Sequence, residues 1–179
     1  MAVSVIVLNG GSSSGKSTIA RALQDVLLPE PWLTFGIDTL IAAMPPSLGS
    51  AGEGLDLRSD GSISVGDGFR LIEGTWHQGL GAMAAAGSRV VIDDVFLGGA
   101  DSQARLRQAL GPLDVLWVGV HCSLDELARR ERARGDRVIG QAAFQAEVVH
   151  RGVVYDVEVD TTHTDARRCA EAIAAHLSR

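Results

Sequence analysis

The sequence predicts an α/β domain in which a parallel sheet is layered between helices. Three observations carry that prediction. Short apolar, β-branched runs alternate with longer stretches of helical spacing, the pattern of strands that return to one sheet through helices. The first run, VSVIVLN (3–9), is apolar at nearly every position and so reads as a central strand buried on both faces. That run breaks into GGSSSGKS (10–17), six small residues and the only lysine of the chain, before apolar periodicity resumes.

The remaining elements follow in order. Ile19, Ala22, Leu23, Val26 and Leu27 place one apolar stripe on a helix over 17–28. WLTFGID (32–38) is the second strand. From Met44 to Gly68 the composition turns to Pro, Gly, Ser and Asp without periodicity, which predicts a binding loop, a lid or a disordered insert. Phe69, Ile72, Trp76, Leu80 and Met83 recur at helical spacing up to Gly87. SRVVIDDV (88–95) is the third strand, and 101–110 is a short helix. LDVLWVGVHC (113–122) is the fourth strand, closed by Ser123 and Glu126 at capping-box spacing. The helix they open becomes arginine-dense and breaks at Gly135. VVYDVEVD (153–160) is the last strand. A helix over 165–177 aligns Cys169, Ile173 and Leu177. No internal repeat is present.

The totals restrict the function classes. A chain of 179 residues supports one domain, 1–179, and 46% hydrophobic with 21% charged residues is a globular composition. A net charge of -6 argues against broad binding to nucleic acid or an anionic membrane and favours a small-molecule partner. Cys122 and Cys169 are far apart and form no CxxC, so they read as free thiols. The N-terminus lacks the features of a secretory signal, and cytoplasmic localisation is expected.

GGSSSGKS fits G-x-x-x-x-G-K-[ST] in the context its chemistry requires, between a buried strand and an amphipathic helix. Glycines let successive N–H groups turn inward toward phosphate oxygens, and the helix N-terminus adds partial positive charge. Gly10, Gly11, Ser12, Ser13, Ser14, Gly15, Lys16, Ser17 and Thr18 are therefore the expected nucleotide cradle. Fifteen of the 16 basic residues are arginine, yet position 16 is lysine, a compact charge on a slim stem that enters a ring of amides. Lys16 would reach the outer phosphates of ATP. The Ser17 hydroxyl would complete part of a Mg²⁺ shell.

In an open parallel sheet the carboxyl ends of all strands lie along one edge, so residues after the second and third strands face the phosphate loop. Asp38 stands at the first of these places, Asp93 and Asp94 at the second. Phosphoryl transfer needs a carboxylate for the metal and a group to orient the attacking hydroxyl, which assigns Asp93 or Asp94 to the former and Asp38 to the latter. Successive strand residues point to opposite faces, so one of the pair reaches the metal and the other caps the following turn. A plain N-cap for the TLIAAM segment is the alternative role for Asp38. Arg134 and Arg137 flank the glycine break and are expected to swing onto the transferring phosphate as part of a lid at about 129–140. Arg129 and Arg130 read instead as a solvated face paired with Glu126 and Glu131. With one lysine the chain has no [NT]-K-x-D guanine-reading segment, and its histidines lack zinc-ligand spacing.

LNGGSSSGKS, PEPWLTFGIDTLIAAMP, VVIDDVFLGG, LDVLWVGVHC, ARGDRV and YDVEVDTTH resemble, in order and over nearly the whole chain, the chloramphenicol phosphotransferases of antibiotic-producing bacteria. The resemblance implies ATP-dependent phosphorylation of the primary (3-) hydroxyl of chloramphenicol. It also implies an adenylate-kinase-like, three-layer P-loop kinase fold with a five-stranded parallel sheet, order 2-3-1-4-5. Asp38 then falls at the position of the family's catalytic base, and Arg134 and Arg137 belong to the lid. An aromatic acceptor needs a largely apolar wall, for which Phe35, Met44, Trp76 and Phe96 are candidates beside an acceptor-side insert at about 44–68. Trp76 at helical spacing also reads as plain core. A kinase for another small alcohol (a sugar, a nucleoside or a different natural product) and a nucleotide-binding regulatory module are the competing functions.

Overall fold

The computed structural model describes residues 3–45, 54–58, 62–134 and 140–177. Its first strand, β1 (Val5–Asn9), is buried at all five positions, and pleating sends its side chains alternately into two separate cores. Ile6 and Leu8 pack with Ile19, Leu23 and Ile173 on one face. Val5 and Val7 pack with Leu80, Phe96, Leu106 and Trp117 on the other. A strand apolar on both sides must lie between two layers, which is why the run carries no alternation.

Around it, β2 (Trp32–Gly36), β5 (Arg89–Asp94), β6 (Val115–His121) and β7 (Val157–Asp160) form an all-parallel sheet in the order β2-β5-β1-β6-β7. Counting only these five strands, the order is 2-3-1-4-5, as the resemblance implied. The helices α1 (Lys16–Val26) and α7 (Ala166–Ala174) cover one face. The other is covered by α3 (Asp67–Ala85) and α4 (Ala100–Leu110), which approach closely at Gly81, where a Cβ would stand 3.1 Å from the Ala109 carbonyl oxygen. Register puts Asn9 beside Asp94 and Gly36 beside Asp93, so the ends of β1, β2 and β5 lie along one edge.

Several elements differ from their sequence reading. The second strand stops at Gly36, and α2 (Ile37–Ala43) begins at once, so Asp38 lies in a first helical turn rather than at a strand end or a cap. The segment read as a binding loop, a lid or a disordered insert holds an antiparallel hairpin, β3 (Leu55–Leu57) with β4 (Ile63–Val65), Leu55 opposite Val65. Strands of three residues are too short to show a period. The last strand is shorter than expected: at Asp156 the N–H still donates to the Trp117 carbonyl at 2.9 Å, but the Trp117 N–H is accepted by the Asp156 carboxylate at 2.8 Å. The arginine-rich helix is α5 (Leu124–Arg134), and a helix that the sequence reading missed, α6 (Gln141–Val148), follows it. The carboxylate of Glu131 joins the two by accepting the N–H groups of Gly140 and Ala142, each at 2.8 Å.

Candidate active site

The loop after β1 is held in shape from several sides. Ser13 and Gly15 take positive φ, 62° and 93°, a region that strains a side chain at Ser13 and suits glycine at the cap of α1. Ser14 N–H donates to the Gly11 carbonyl at 3.3 Å. Asn9, the last residue of β1, accepts the Phe96 N–H and donates to the Val149 carbonyl and the Tyr155 hydroxyl, at 2.9, 2.8 and 2.6 Å. Gly10 sits so close to β6 that a Cβ would stand 2.5 Å from the Val120 oxygen. Gly10→Ala should therefore lower the melting temperature and weaken ATP binding together, by about 1–3 kcal/mol of overpacking strain. Thermal unfolding and a nucleotide titration check this, and unchanged values for both refute it.

Lys16 opens α1 with its side chain 7% exposed. Its Nζ donates to the Gly11 carbonyl at 3.0 Å and lies 3.8 Å from Asp93 Oδ1. The Ser17 hydroxyl donates to Asp93 Oδ2 at 2.6 Å. Asp94 faces away and is 3% exposed, accepting the Val95 N–H at 2.7 Å and lying 3.1 Å from His77 Nε2. Pleating thus separates the two carboxylates: Asp93 turns to the loop, and Asp94 closes the turn after β5.

The residues present suit a phosphate chain and its metal. The Ser13 and Ser14 hydroxyls are buried without hydrogen-bond partners, polar groups of the kind a bound phosphate would satisfy. Among the described residues no cluster of three or more His, Cys, Asp or Glu could hold a metal. An ion at this place would depend on Ser17, Asp93 and the oxygens of a nucleotide, the usual situation for Mg²⁺.

Three supports of the loop lie outside the residues expected from sequence. Arg130, read as surface, reaches the Ser13 carbonyl at 3.3 Å, the Thr161 hydroxyl at 3.1 Å and the Thr161 carbonyl at 2.7 Å. The buried Thr161, just past β7, donates in turn to the Ser14 carbonyl at 2.7 Å. Gln145 of α6 accepts the Ser12 N–H at 2.6 Å. A strand-end argument reaches Thr161, since it stands just past β7 on the sheet edge where Asp93 lies near the end of β5. Nothing local marks Arg130 or Gln145. Glu126 pairs with Arg129 and Arg130 as expected, and these bonds hold its carboxyl down at about 2. Glu131 does not join them, being buried against the start of α6.

Lys16, Ser17, Asp38 and Asp93 all line one cavity of about 980 Å³. That is the upper end of the roughly 300–1,000 Å³ range of small-molecule sites, enough for two ligands side by side. Arg129, Arg130, Gln141, Gln145, Thr161 and Asp165 supply polar lining from α5, α6 and the loop after β7. Ile37, Ile41, Leu55, Ile63, Val65, Phe69, Val95 and Leu97 supply an apolar wall from α2, the hairpin, α3 and the turn after β5. The side chains proposed for that wall from sequence lie elsewhere. Phe96 is 1% exposed in the core against Trp117, and Phe35 meets Trp76 edge to face at 6.0 Å in the same cluster. Met44 caps the end of α2 and is absent from the lining. Arg137 and the Arg134 side chain lie outside the described residues.

Beneath the loop, the His150 ring stacks on His121 at 4.1 Å and its Nδ1 lies 2.6 Å from the Tyr155 hydroxyl. Burial, then the neighbouring His121, pushes His150 down to about 4, and burial pushes Tyr155 up to about 12. A histidine that takes its proton more readily when unfolded loses stability as pH falls from about 6.5 to 4 and contributes no slope above that window. Urea midpoints across this range should fall more steeply for the native chain than for His150→Phe. Equal slopes would show that His150 is not the group responsible.

The fold and the sequence agree on what this chain resembles. Structures with similar folds include an unliganded sugar kinase from Janibacter sp. HTCC2649 (TM-score 0.69, 17% identity, 98% of this chain and 95% of that one). Another is the Mycobacterium tuberculosis APS kinase CysC in complex with AMPPNP and APS (TM-score 0.63, 15% identity, 99% of each chain). These establish a P-loop kinase fold. The M. tuberculosis H37Rv protein named "Putative O-phosphotransferase Rv2636" is 35% identical over 190 residues, covering 94% of this chain and 80% of its own length. The family described as "Chloramphenicol phosphotransferase-like protein" matches residues 3–178, and with that span and that identity the chain belongs to this family of small-molecule phosphotransferases.

Proposed function

We propose that this enzyme transfers the terminal phosphoryl group of ATP to the primary (3-) hydroxyl of chloramphenicol, inactivating the antibiotic in the cytoplasm as self-protection. The observation that carries the reading is the common cavity: the buried ammonium of Lys16, the Ser17–Asp93 pair and the Asp38 carboxylate line the same space. Its apolar wall suits an aromatic acceptor with few polar contacts.

The loop from Gly10 to Thr18 binds the phosphates through backbone N–H groups, with Ser12 N–H leaving Gln145 to do so. Lys16 moves from the Gly11 carbonyl onto the outer phosphate oxygens. Ser17 and Asp93 would hold Mg²⁺, which would neutralise phosphate charge when bound. Asp38 accepts a hydrogen bond from the drug's hydroxyl and aims its oxygen at the terminal phosphorus. The new P–O bond forms as the bond from that phosphorus to the bridging oxygen of ADP breaks. In a loose transition state the alcohol stays protonated until late, so Asp38 takes the proton as transfer completes. Arg134 and Arg137 belong to a lid over residues 129–140 that closes on the transferring group, and residues 44–68 form the acceptor-side insert of a single domain. Purified protein with Mg²⁺ and ATP should convert chloramphenicol to a monophosphate ester, seen by mass spectrometry with equimolar ADP. Phosphorylation of other alcohols in a panel but not of chloramphenicol would establish a different kinase, and tight ATP binding with no product from any acceptor would establish a regulatory module.

A further inference from the structure

The apolar wall ends on a charge that phosphoryl transfer does not use. Arg70 and Glu73, on the first two turns of α3, both line the cavity beside Phe69, Ile63 and Val65. Arg70 Nη1 donates to Glu73 Oε2 at 2.9 Å, with the side chains 31% and 13% exposed. An exposed pair of this spacing usually does little beyond weak helix support. Here the acid is largely buried and is shared: Arg105 Nε of α4 lies 4.0 Å from the same oxygen. Two guanidinium groups on one carboxylate leave the cluster net positive. The bond to Glu73 uses Nη1 alone and tethers the Arg70 fork, while the Nε and Nη2 edge is not part of that bond. A guanidinium edge is matched by two coplanar oxygens, which accept parallel N–H bonds.

We infer that Arg70 sets acceptor specificity by receiving a planar oxygen pair, a nitro or carboxylate group, carried on the acceptor's apolar body apart from the hydroxyl presented to Asp38. This rests on the cavity's apolar half being the acceptor subsite, and it deepens that reading by giving an oxygen pair on the acceptor a partner in the protein. Glu73 then acts as a positioning residue for Arg70, with Arg105 holding it in place.

The test measures binding, so it does not depend on chloramphenicol being turned over. Matched aryl alcohols bearing para nitro, carboxylate or hydrogen, and chloramphenicol beside its analogue with hydrogen in place of nitro, are titrated by thermal shift and calorimetry with a non-hydrolysable ATP analogue present. Native protein should prefer at least one oxygen-pair series over its hydrogen partner by about 10-fold or more, the size of a charged hydrogen bond. Nitro and carboxylate arms separate a neutral from an anionic acceptor. Arg70→Met should erase the preference, Arg70→Lys should restore part of it, and affinity for the ATP analogue should stay within about twofold in both. Chloramphenicol failing to bind while a carboxylate series shows an Arg70-dependent preference overturns the drug assignment and upholds this inference. No preference for either oxygen-pair series in the native protein overturns the inference, whatever the drug does and even if the variants fail to fold. A preference that survives Arg70→Met in folded protein overturns it as well.

Discussion

Replacing Lys16 with methionine is expected to lower kcat/KM by about 10³ or more while leaving the unliganded protein as stable as before, or more so. The catalytic half of that expectation follows from charge. In phosphoryl transfer the protein acts mainly by positioning groups and stabilising charge, and removing one preorganised donor from a developing oxyanion costs about 10²–10³ in kcat. Weaker nucleotide binding adds to this, because a hydrogen bond to a charged group contributes about 1.5–3 kcal/mol. The stability half follows from burial. The Lys16 side chain is 7% exposed and its ammonium is held at 3.0 Å by a carbonyl and at 3.8 Å by Asp93, imperfect compensation for desolvating a charge. Methionine fills a similar volume without that cost, and Asp93 keeps the Ser17 hydrogen bond and faces the open cavity, so it is not left a buried, unpartnered charge. Lys16→Arg should fail almost as completely, because the broad fork does not enter a ring of amides already braced by Arg130, Thr161 and Gln145. Steady-state kinetics and thermal unfolding of both variants provide the check, and turnover within about threefold of native would exclude Lys16 from the chemistry.

What could be foreseen in this molecule depends on how far apart the cooperating residues lie in the chain. The phosphate loop is local: strand, small residues, lysine and the start of the helix occupy the consecutive residues 3–19, so pattern alone locates it. The sheet order followed from a resemblance, but the central place of β1 was visible in its unbroken apolar run, since only a strand covered on both faces can dispense with polar residues. Asp38 and Asp93 could be placed because parallel strands share one edge. The same edge reaches Thr161, but the bonds that brace the loop could not be read. Arg130 bonds to a carbonyl 117 residues away and Thr161 to one 147 residues away, and side-chain-to-backbone contacts of that span leave no periodic trace. The apolar wall was misplaced for a related reason. Phe35, Trp76 and Phe96 have the size and hydrophobicity of pocket residues, but those properties serve a core equally well, and the second cluster takes all three. The wall is built partly from Leu55, Ile63 and Val65, whose strands have three residues each and reveal themselves only when paired. Helix α6 escaped notice because its inward side carries glutamines rather than an apolar stripe: Gln141 and Gln145 are both buried.

Asp38→Asn provides the sharper test of mechanism, because it removes a charge without altering shape. Asp38 is exposed in the first turn of α2, and Gly36, not Asp38, caps that helix. A carboxylate in a first turn contributes about 0.3–1 kcal/mol through the helix dipole, a contribution the amide gives up. If helix support were the whole role of Asp38, activity would hardly fall, because a loss of about 1 kcal/mol leaves a domain of ordinary stability folded. If Asp38 aligns the acceptor hydroxyl and takes its proton, kcat should fall by about 10²–10⁴ with melting temperature and ATP affinity nearly unchanged. The two roles therefore differ by at least tenfold in a single measurement. The split between kinetic constants adds direction. Asparagine can still accept a hydrogen bond from the alcohol through its carbonyl oxygen, so acceptor KM should move less than kcat, the mark of an interaction that strengthens in the transition state. A loss confined to acceptor KM would instead make Asp38 a binding group and require another base. Single-turnover transfer from ATP in excess enzyme separates the chemical step from product release, and unaltered transfer there would remove Asp38 from the reaction.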